Sequence, residues 1–127
     1  GKGLENMYRF FNRDSSQSEG IQAEQISKTR ETNPCSQKTF SKFIEFYARC
    51  CRNYVLDTLP REGLYIAGGI AAQNPDSIDE LFLKEFRNSS PQFQELLKKI
   101  PIRVITNYDI SLKGAARAME LESNRST

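Results

Sequence analysis

The stretch Gly63-Leu64-Tyr65-Ile66-Ala67-Gly68-Gly69-Ile70 constrains the fold of this chain more than any other. It is apolar without alternation and then breaks into two glycines. Continuous apolar character over so few residues predicts a fully buried strand, as in a parallel sheet covered by helices. Paired glycines permit positive φ and remove the Cβ atoms that would keep a flat ligand away from the backbone. Two readings of Gly68 and Gly69 follow: a strand-to-helix turn that serves only the fold, or one wall of a ligand site. The surrounding elements have to decide between them.

Ile100 to Thr106 reads as a second strand, with Pro101 at its entrance, where a missing ladder donor is tolerated. Between the strands, Asn74-Pro75 starts a helix with Ile78, Leu81, Phe82 and Phe86 on one side, and Ser90-Pro91 repeats the device ahead of Phe93, Leu96 and Leu97. Upstream, Leu4, Met7, Tyr8 and Phe11 recur at helical spacing. A polar, Ser-rich loop over Asn12 to Gly20 and a weakly apolar helix over Ile21 to Glu31 follow. Asn33-Pro34 then opens a long helix to about Thr58. Its stripe is Phe40, Phe43, Ile44, Tyr47, Cys51, Tyr54 and Val55, with Lys42, Glu45, Arg49 and Arg52 on the other side. Ser111 to Glu122 forms a last helix with Leu112, Ala115, Ala116 and Met119 inward. The order predicts an α/β fold with parallel strands at about 63–67 and 101–106, packed by helices. Ligands of such sheets collect at the carboxyl ends of the strands, so the Gly68-Gly69 and Asn107-Tyr108-Asp109 loops form the candidate site. Two strands make a poor sheet, and further strands are expected from an N-terminal part outside these residues.

At 127 residues and 38% hydrophobic, the chain suits one compact unit. It opens with Gly1-Lys2-Gly3 rather than Met, and lacks a signal-type apolar region and any run of membrane-spanning length. The expectation is an excised piece of a soluble, cytoplasmic protein. A net charge of +2, from 18 basic and 16 acidic residues dispersed among one another, points away from nucleic acid. Histidine is absent, which removes imidazole from any catalytic or zinc scheme here. Cys35, Cys50 and Cys51 form no Cys-x-x-Cys pair and read as buried free thiols. Asp109, after the second strand, is read as an N-cap in preference to a catalytic acid. Asp57 and Asp14 have less support still. The large apolar residues Phe82, Leu83, Phe86, Phe93 and Leu96 either pack among themselves or form a patch for a subunit or a missing lobe.

Four blocks occur in order: Gly1-Lys2-Gly3-Leu4 with Tyr8; Gly63 to Ala71; Ile100-Pro101-Ile102; and Leu112-Lys113-Gly114-Ala115-Ala116. Together they resemble the C-terminal part of the bacterial-type glucokinases, members of the sugar kinase, actin and heat-shock ATPase superfamily. The resemblance implies a helix-rich fragment of a ribonuclease-H-like, actin-type ATPase domain. Residues 1–127 would then be the C-terminal portion of the larger lobe, with the N-terminal lobe and catalytic segment outside them. The second block is similar to the family's adenosine motif, which implies that Gly68, Gly69 and Ile70 lie against adenosine and that Gly1, Gly3 and Leu4 border the same pocket. ATP, Mg²⁺ and glucose are the implied ligands of the full-length protein, and a homodimer is the implied assembly. The family's phosphate loops, sugar-binding acids and catalytic aspartate precede the matched segment, so no catalytic or metal-binding residue is assigned here. The isolated chain is expected to be inactive. A kinase for another hexose, and a sugar-sensing regulator or inactive paralogue of the same fold, stand as alternatives.

Overall fold

The computed structural model describes residues 1–13, 20–107 and 109–125. Helix α1 (Lys2–Phe11) buries Leu4 and Tyr8 and half-buries Met7 and Phe11, as its spacing predicts. Helix α2 (Ala23–Lys28) is shorter than the predicted 21–31. It starts with a reciprocal cap between Gln22 and Gln25 and buries Ile26 completely. Asn33 and Pro34 start α3 (Pro34–Thr58) as predicted. The Asn33 side chain accepts from the backbone N–H groups of Cys35 (2.9 Å) and Ser36 (3.2 Å). Helix α3 ends at Leu59, which adopts the left-handed conformation at φ 46° and still donates its N–H to the Val55 carbonyl.

Helix α3 is the axis of the molecule. Its buried line runs Phe40, Ile44, Ala48, Cys51 and Val55. Phe43 and Tyr47 flank that line and are only half-buried, and Tyr54, expected inside, is exposed. Tyr54 sits one residue, about 100° of rotation, off Val55 and so turns out of the buried line. Of the cysteines, only Cys51 is buried; Cys35 and Cys50 are exposed, which corrects the expectation of three buried thiols. Burial and the neighbouring Cys50 push the Cys51 thiol up to about 11.

Strand β1 (Leu64–Ile66) pairs in parallel with β2 (Ile102–Val104), the register being Leu64 with Ile102, Tyr65 with Arg103 and Ile66 with Val104. Pro101 lacks a donor, but its carbonyl accepts from Leu64 N–H at 2.8 Å. That approach dictates Gly63, whose φ is +113° and where a Cβ would lie 2.6 Å from the Pro101 oxygen. The prediction of a strand buried on both faces is overturned. Leu64 and Ile66 face the core, whereas Tyr65 is 55% exposed and carries the Arg103 guanidinium 5.5 Å from its ring centroid. Tyr65 and its register partner Arg103 are both exposed, so a continuous apolar run here does not mean burial on both faces.

Helix α4 (Gly69–Gln73) follows β1 directly, then a 3₁₀ turn over Pro75–Ser77, then α5 (Glu80–Arg87). Asn74-Pro75 therefore does not start the α-helix predicted there, which begins only at Glu80. The Asn74 side chain is engaged elsewhere, and Asp79 caps α5 by accepting from Leu81 N–H (2.9 Å) and Phe82 N–H (3.2 Å). Phe82 and Phe86 are wholly buried against α3, so this region packs within the chain, although Phe93 on α6 (Pro91–Lys99) remains exposed. Arg49 clamps α3 to α5 through Glu85 at 3.0 Å. Helix α7 (Ile110–Arg125) departs most from expectation: Leu112, Ala115, Ala116 and Met119 are exposed rather than inward. Its stripe is exposed over all four of these positions. No helix of the described residues is long and apolar enough to cross a membrane.

Candidate functional site

At the carboxyl end of β1 the chain leaves a cleft of about 520 Å³. One side is the turn Ala67 to Ala71, with Gly68, Gly69 and Ile70 on the lining. Gly68 has φ +122°, as a glycine turn requires, while Gly69 is already the first residue of α4 and has no positive φ. A Cβ at either position would meet no atom within 4 Å, so the missing side chains leave open space rather than relieve a clash within the fold. The opposite side is α1, which contributes Gly1 and Leu4. Five of the six residues singled out in the sequence therefore meet in one cleft. Gly3 does not: it sits on the exposed side of α1, because adjacent helical residues point about 100° apart and Leu4 takes the inward direction.

Sequence reasoning missed two other contributors. Phe43 and Tyr47 of α3 line the cleft with rings 5.9 Å apart, and Tyr47 abuts the buried Phe82 edge-on at 6.1 Å. Burial, with Cys51 adding to it, raises the Tyr47 phenol above its ordinary value, so it stays an uncharged hydrogen-bonding group. The aromatic pair at i and i+4 was the available signal, absorbed into the core stripe because both readings share one period. The second contributor is α2, whose Ala23, Glu24 and Ser27 face the cleft. A 2.7 Å pair with Lys28 lowers the Glu24 pKa through hydrogen bond and charge, which keeps an anion at the rim.

Asn74 closes α4 and ties the two walls together. Its Nδ2 donates to the Ile70 carbonyl at 2.8 Å, and its Oδ1 accepts from Ser27 Oγ and from Arg30. The Asn107 loop plays a smaller part than predicted. Asn107 meets Gly68 only in a separate hollow of about 150 Å³. Its side chain is occupied in accepting from Asp109 N–H at 2.9 Å. Asp109 precedes α7 and its carbonyl accepts from Lys113 N–H, which is the N-cap position read from the sequence. Asp57 is exposed at the far end of α3, and Asp14 and Tyr108 lie outside the described residues. Among the described residues no group of three or more His, Cys, Asp or Glu is placed to hold a metal ion.

The family model described as Glucokinase matches residues 1–122, which takes in every wall of the cleft. The chain belongs to the glucokinase family. Among its relatives, the glucokinase of Trichormus variabilis is 39% identical over 82 residues, 64% of this chain and 24% of that protein. The glucokinase of Colwellia psychrerythraea is 32% identical over 127 aligned positions, covering 91% of this chain and 38% of that one. A crystal structure of glucokinase from an Antarctic psychrotroph superposes with a TM-score of 0.80 over 94% of this chain and 38% of its own, at 21% identity, a likeness of fold. This glucokinase-family chain thus spans between 24% and 38% of the length of the relatives it matches.

Proposed function

We propose that this chain is the adenosine-binding, C-terminal portion of an ATP-dependent glucokinase, which transfers the γ-phosphoryl group of ATP to the 6-hydroxyl of glucose at the entry to glycolysis. The observation that carries the reading is the single cleft in which Gly68, Gly69 and Ile70 face Gly1 and Leu4, beside Phe43 and Tyr47. Its volume of about 520 Å³ is in the range of small-molecule sites, which runs from about 300 to 1,000 Å³. A glycine backbone and aromatic rings suit a flat heterocycle, and the polar edge at Glu24, Ser27 and Asn74 suits its amino group and ribose hydroxyls. The residues present therefore fit the nucleoside end of ATP. They do not fit Mg²⁺, which in this proposal belongs with the phosphates and with residues outside this chain.

In the same proposal the domain is ribonuclease-H-like, of the actin-type ATPase kind, and 1–127 is a C-terminal portion of its larger lobe. The catalytic base, the sugar site and an N-terminal lobe come from the rest of a longer cytoplasmic protein, and the assembled enzyme pairs as a homodimer. Support comes from the length of the relatives, from the one edge of each of β1 and β2 that pairs with no strand among the described residues, and from the exposed stripe of α7. The isolated chain then phosphorylates no sugar, since positioning of the attacking hydroxyl and of the phosphates is missing from it.

The test is ATP-dependent phosphorylation of glucose, with mannose and fructose beside it, by the full-length protein. Glucose turnover whose KM for ATP rises sharply in Gly69→Trp supports the reading. Turnover of another hexose reassigns the substrate, and a folded protein that binds sugar without turnover is a regulator or inactive paralogue. An unchanged ATP dependence in Gly69→Trp removes the cleft from the nucleotide site.

A further inference from the structure

The polar wall of the cleft converges on a side chain that lies outside it. Arg30, just beyond α2, donates through one terminal nitrogen to Asn74 Oδ1 and, at 3.4 Å each, to the carbonyl and hydroxyl oxygens of Ser27. Its other terminal nitrogen pairs with the Asp76 carboxylate in the 3₁₀ turn. The guanidinium also lies 5.1 Å from the centroid of the buried Phe40 ring. Only 23% of the Arg30 side chain is exposed, against 64% for Asp76. A planar fork held on both prongs and stacked on one face has one position available to it.

What that position controls follows from α4. Five residues of helix, with no side-chain cap at Gly68, do not hold their own geometry. The turn carrying Gly68, Gly69 and Ile70 is fixed at its far end by Asn74, whose backbone and side-chain nitrogens both donate to the Ile70 carbonyl. Asn74 is in turn held to α2 by Ser27 and Arg30. The spacing between the glycine turn and the Ala23, Glu24 and Ser27 wall is therefore set through one clasp.

We infer that Arg30 is a positioning residue for nucleotide binding: by clasping Asn74 and Asp76 it fixes the width of the cleft between α2 and the Gly68–Ile70 turn. This rests on the adenosine reading of the cleft. Arg30 touches no ligand in this scheme and takes no part in phosphoryl transfer.

The experiment uses the full-length protein with Arg30→Met, Arg30→Lys, Asp76→Asn and Gly69→Trp. The readouts are the ATP dissociation constant by calorimetry, the KM values for ATP and glucose, kcat, and the melting temperature. Arg30→Met is expected to weaken ATP binding and raise its KM roughly tenfold, with kcat and the glucose KM within about twofold of the parent. Arg30→Lys recovers part of the loss, because one ammonium cannot serve Asn74 and Asp76 together. Asp76→Asn, an exposed change that leaves the core intact, weakens ATP binding by roughly two- to threefold and decides the matter if Arg30→Met does not fold. Unchanged ATP affinity in folded Arg30→Met, or in Asp76→Asn, overturns the inference. So does an equal loss in glucose KM, kcat and melting temperature, which would mark Arg30 as a stabilising clamp only. If Gly69→Trp weakens ATP binding and the Arg30 variants do not, the inference fails while the adenosine reading stands. If Gly69→Trp also leaves ATP affinity unchanged, that reading itself fails.

Discussion

Two helices of this chain carry apolar stripes and meet opposite fates. On α5, Phe82 and Phe86 are completely buried against α3 and stack on each other with centroids 6.1 Å apart. On α7, Leu112 and Met119 are 74% and 73% exposed. Both stripes have helical period, and α7 has the longer run. The difference is in what surrounds them: Arg49 and Arg52 of α3 reach across to Glu85 and the Asn88 carbonyl and bracket α5 with charge-assisted bonds. Helix α7 carries an i,i+3 ion pair within itself, Arg117 with Glu120, while its stripe residues stay exposed. An amphipathic pattern states that a face needs covering; only complementary charge and shape on a neighbour state what covers it.

That contrast can be broken or sharpened by substitution, followed by urea unfolding of the chain. Phe82→Ala removes a wholly buried ring from the bracketed side and is expected to cost about 3–5 kcal/mol. A loss under 1 kcal/mol there would mean that the α3–α5 contact is not the core. Gly63→Ala is expected to cost about 3 kcal/mol, because a Cβ at positive φ would meet the Pro101 carbonyl and unpair the sheet. Gly68→Ala tests the same backbone region where space is open, and a smaller loss than at Gly63 is expected.

The pH dependence probes the bracketed side without altering volume. Folding raises the Cys51 pKa from 9.0 to about 11, so the fold favours the protonated thiol. That contribution is fully present below pH 9 and is lost as pH rises through about 11. Cys51→Ala should flatten the fall in stability over that window, and an unaltered profile would show that Cys51 is not its source. In the native chain, iodoacetamide should label Cys35 and Cys50 well before Cys51.

Smaller effects are expected where the chain meets solvent. Leu59 ends α3 in a left-handed conformation and is itself exposed, so Leu59→Gly should raise stability by about 1 kcal/mol. Leu112→Ser on α7 should change stability by less than about 0.5 kcal/mol in this chain. A larger cost would place α7 against something, and would erase the contrast with α5.

Local chemistry made several features legible in advance. Asn33-Pro34 starts α3 as predicted, because here the Asn side chain is free to accept from N–H groups two and three residues on. The parallel pairing of β1 and β2 followed from element order. The expectation that Gly1, Gly3 and Leu4 share a pocket with Gly68, Gly69 and Ile70 came instead from the resemblance to the glucokinases, and all of them but Gly3 line one cleft. The same local reasoning erred where a residue had two possible employers. Asn74 resembled Asn33 beside its proline, yet its side chain bonds to Ser27 and Arg30, more than forty positions away, so Asp79 became the cap of α5. Tyr65 had the composition of a buried strand residue and was left exposed, and Phe43 and Tyr47 had the spacing of core residues and lined the cleft.

From its sequence alone this chain determined the starts of α3 and α6, the two strands and their order, and that a glycine turn would follow the first strand, but not the short helix α4 or the start of α5. Caps, prolines and apolar period act over a few residues and need no partner. Tertiary structure alone decided that Gly63, rather than the glycine pair, is the position where a Cβ would strike the fold. It also decided that Asn74, held by Arg30 from outside the cleft, would tie the cleft walls together, and that the stripe of α7 would stay exposed among the described residues. Each of those outcomes depends on atoms that are distant along the chain and adjacent only once it has folded.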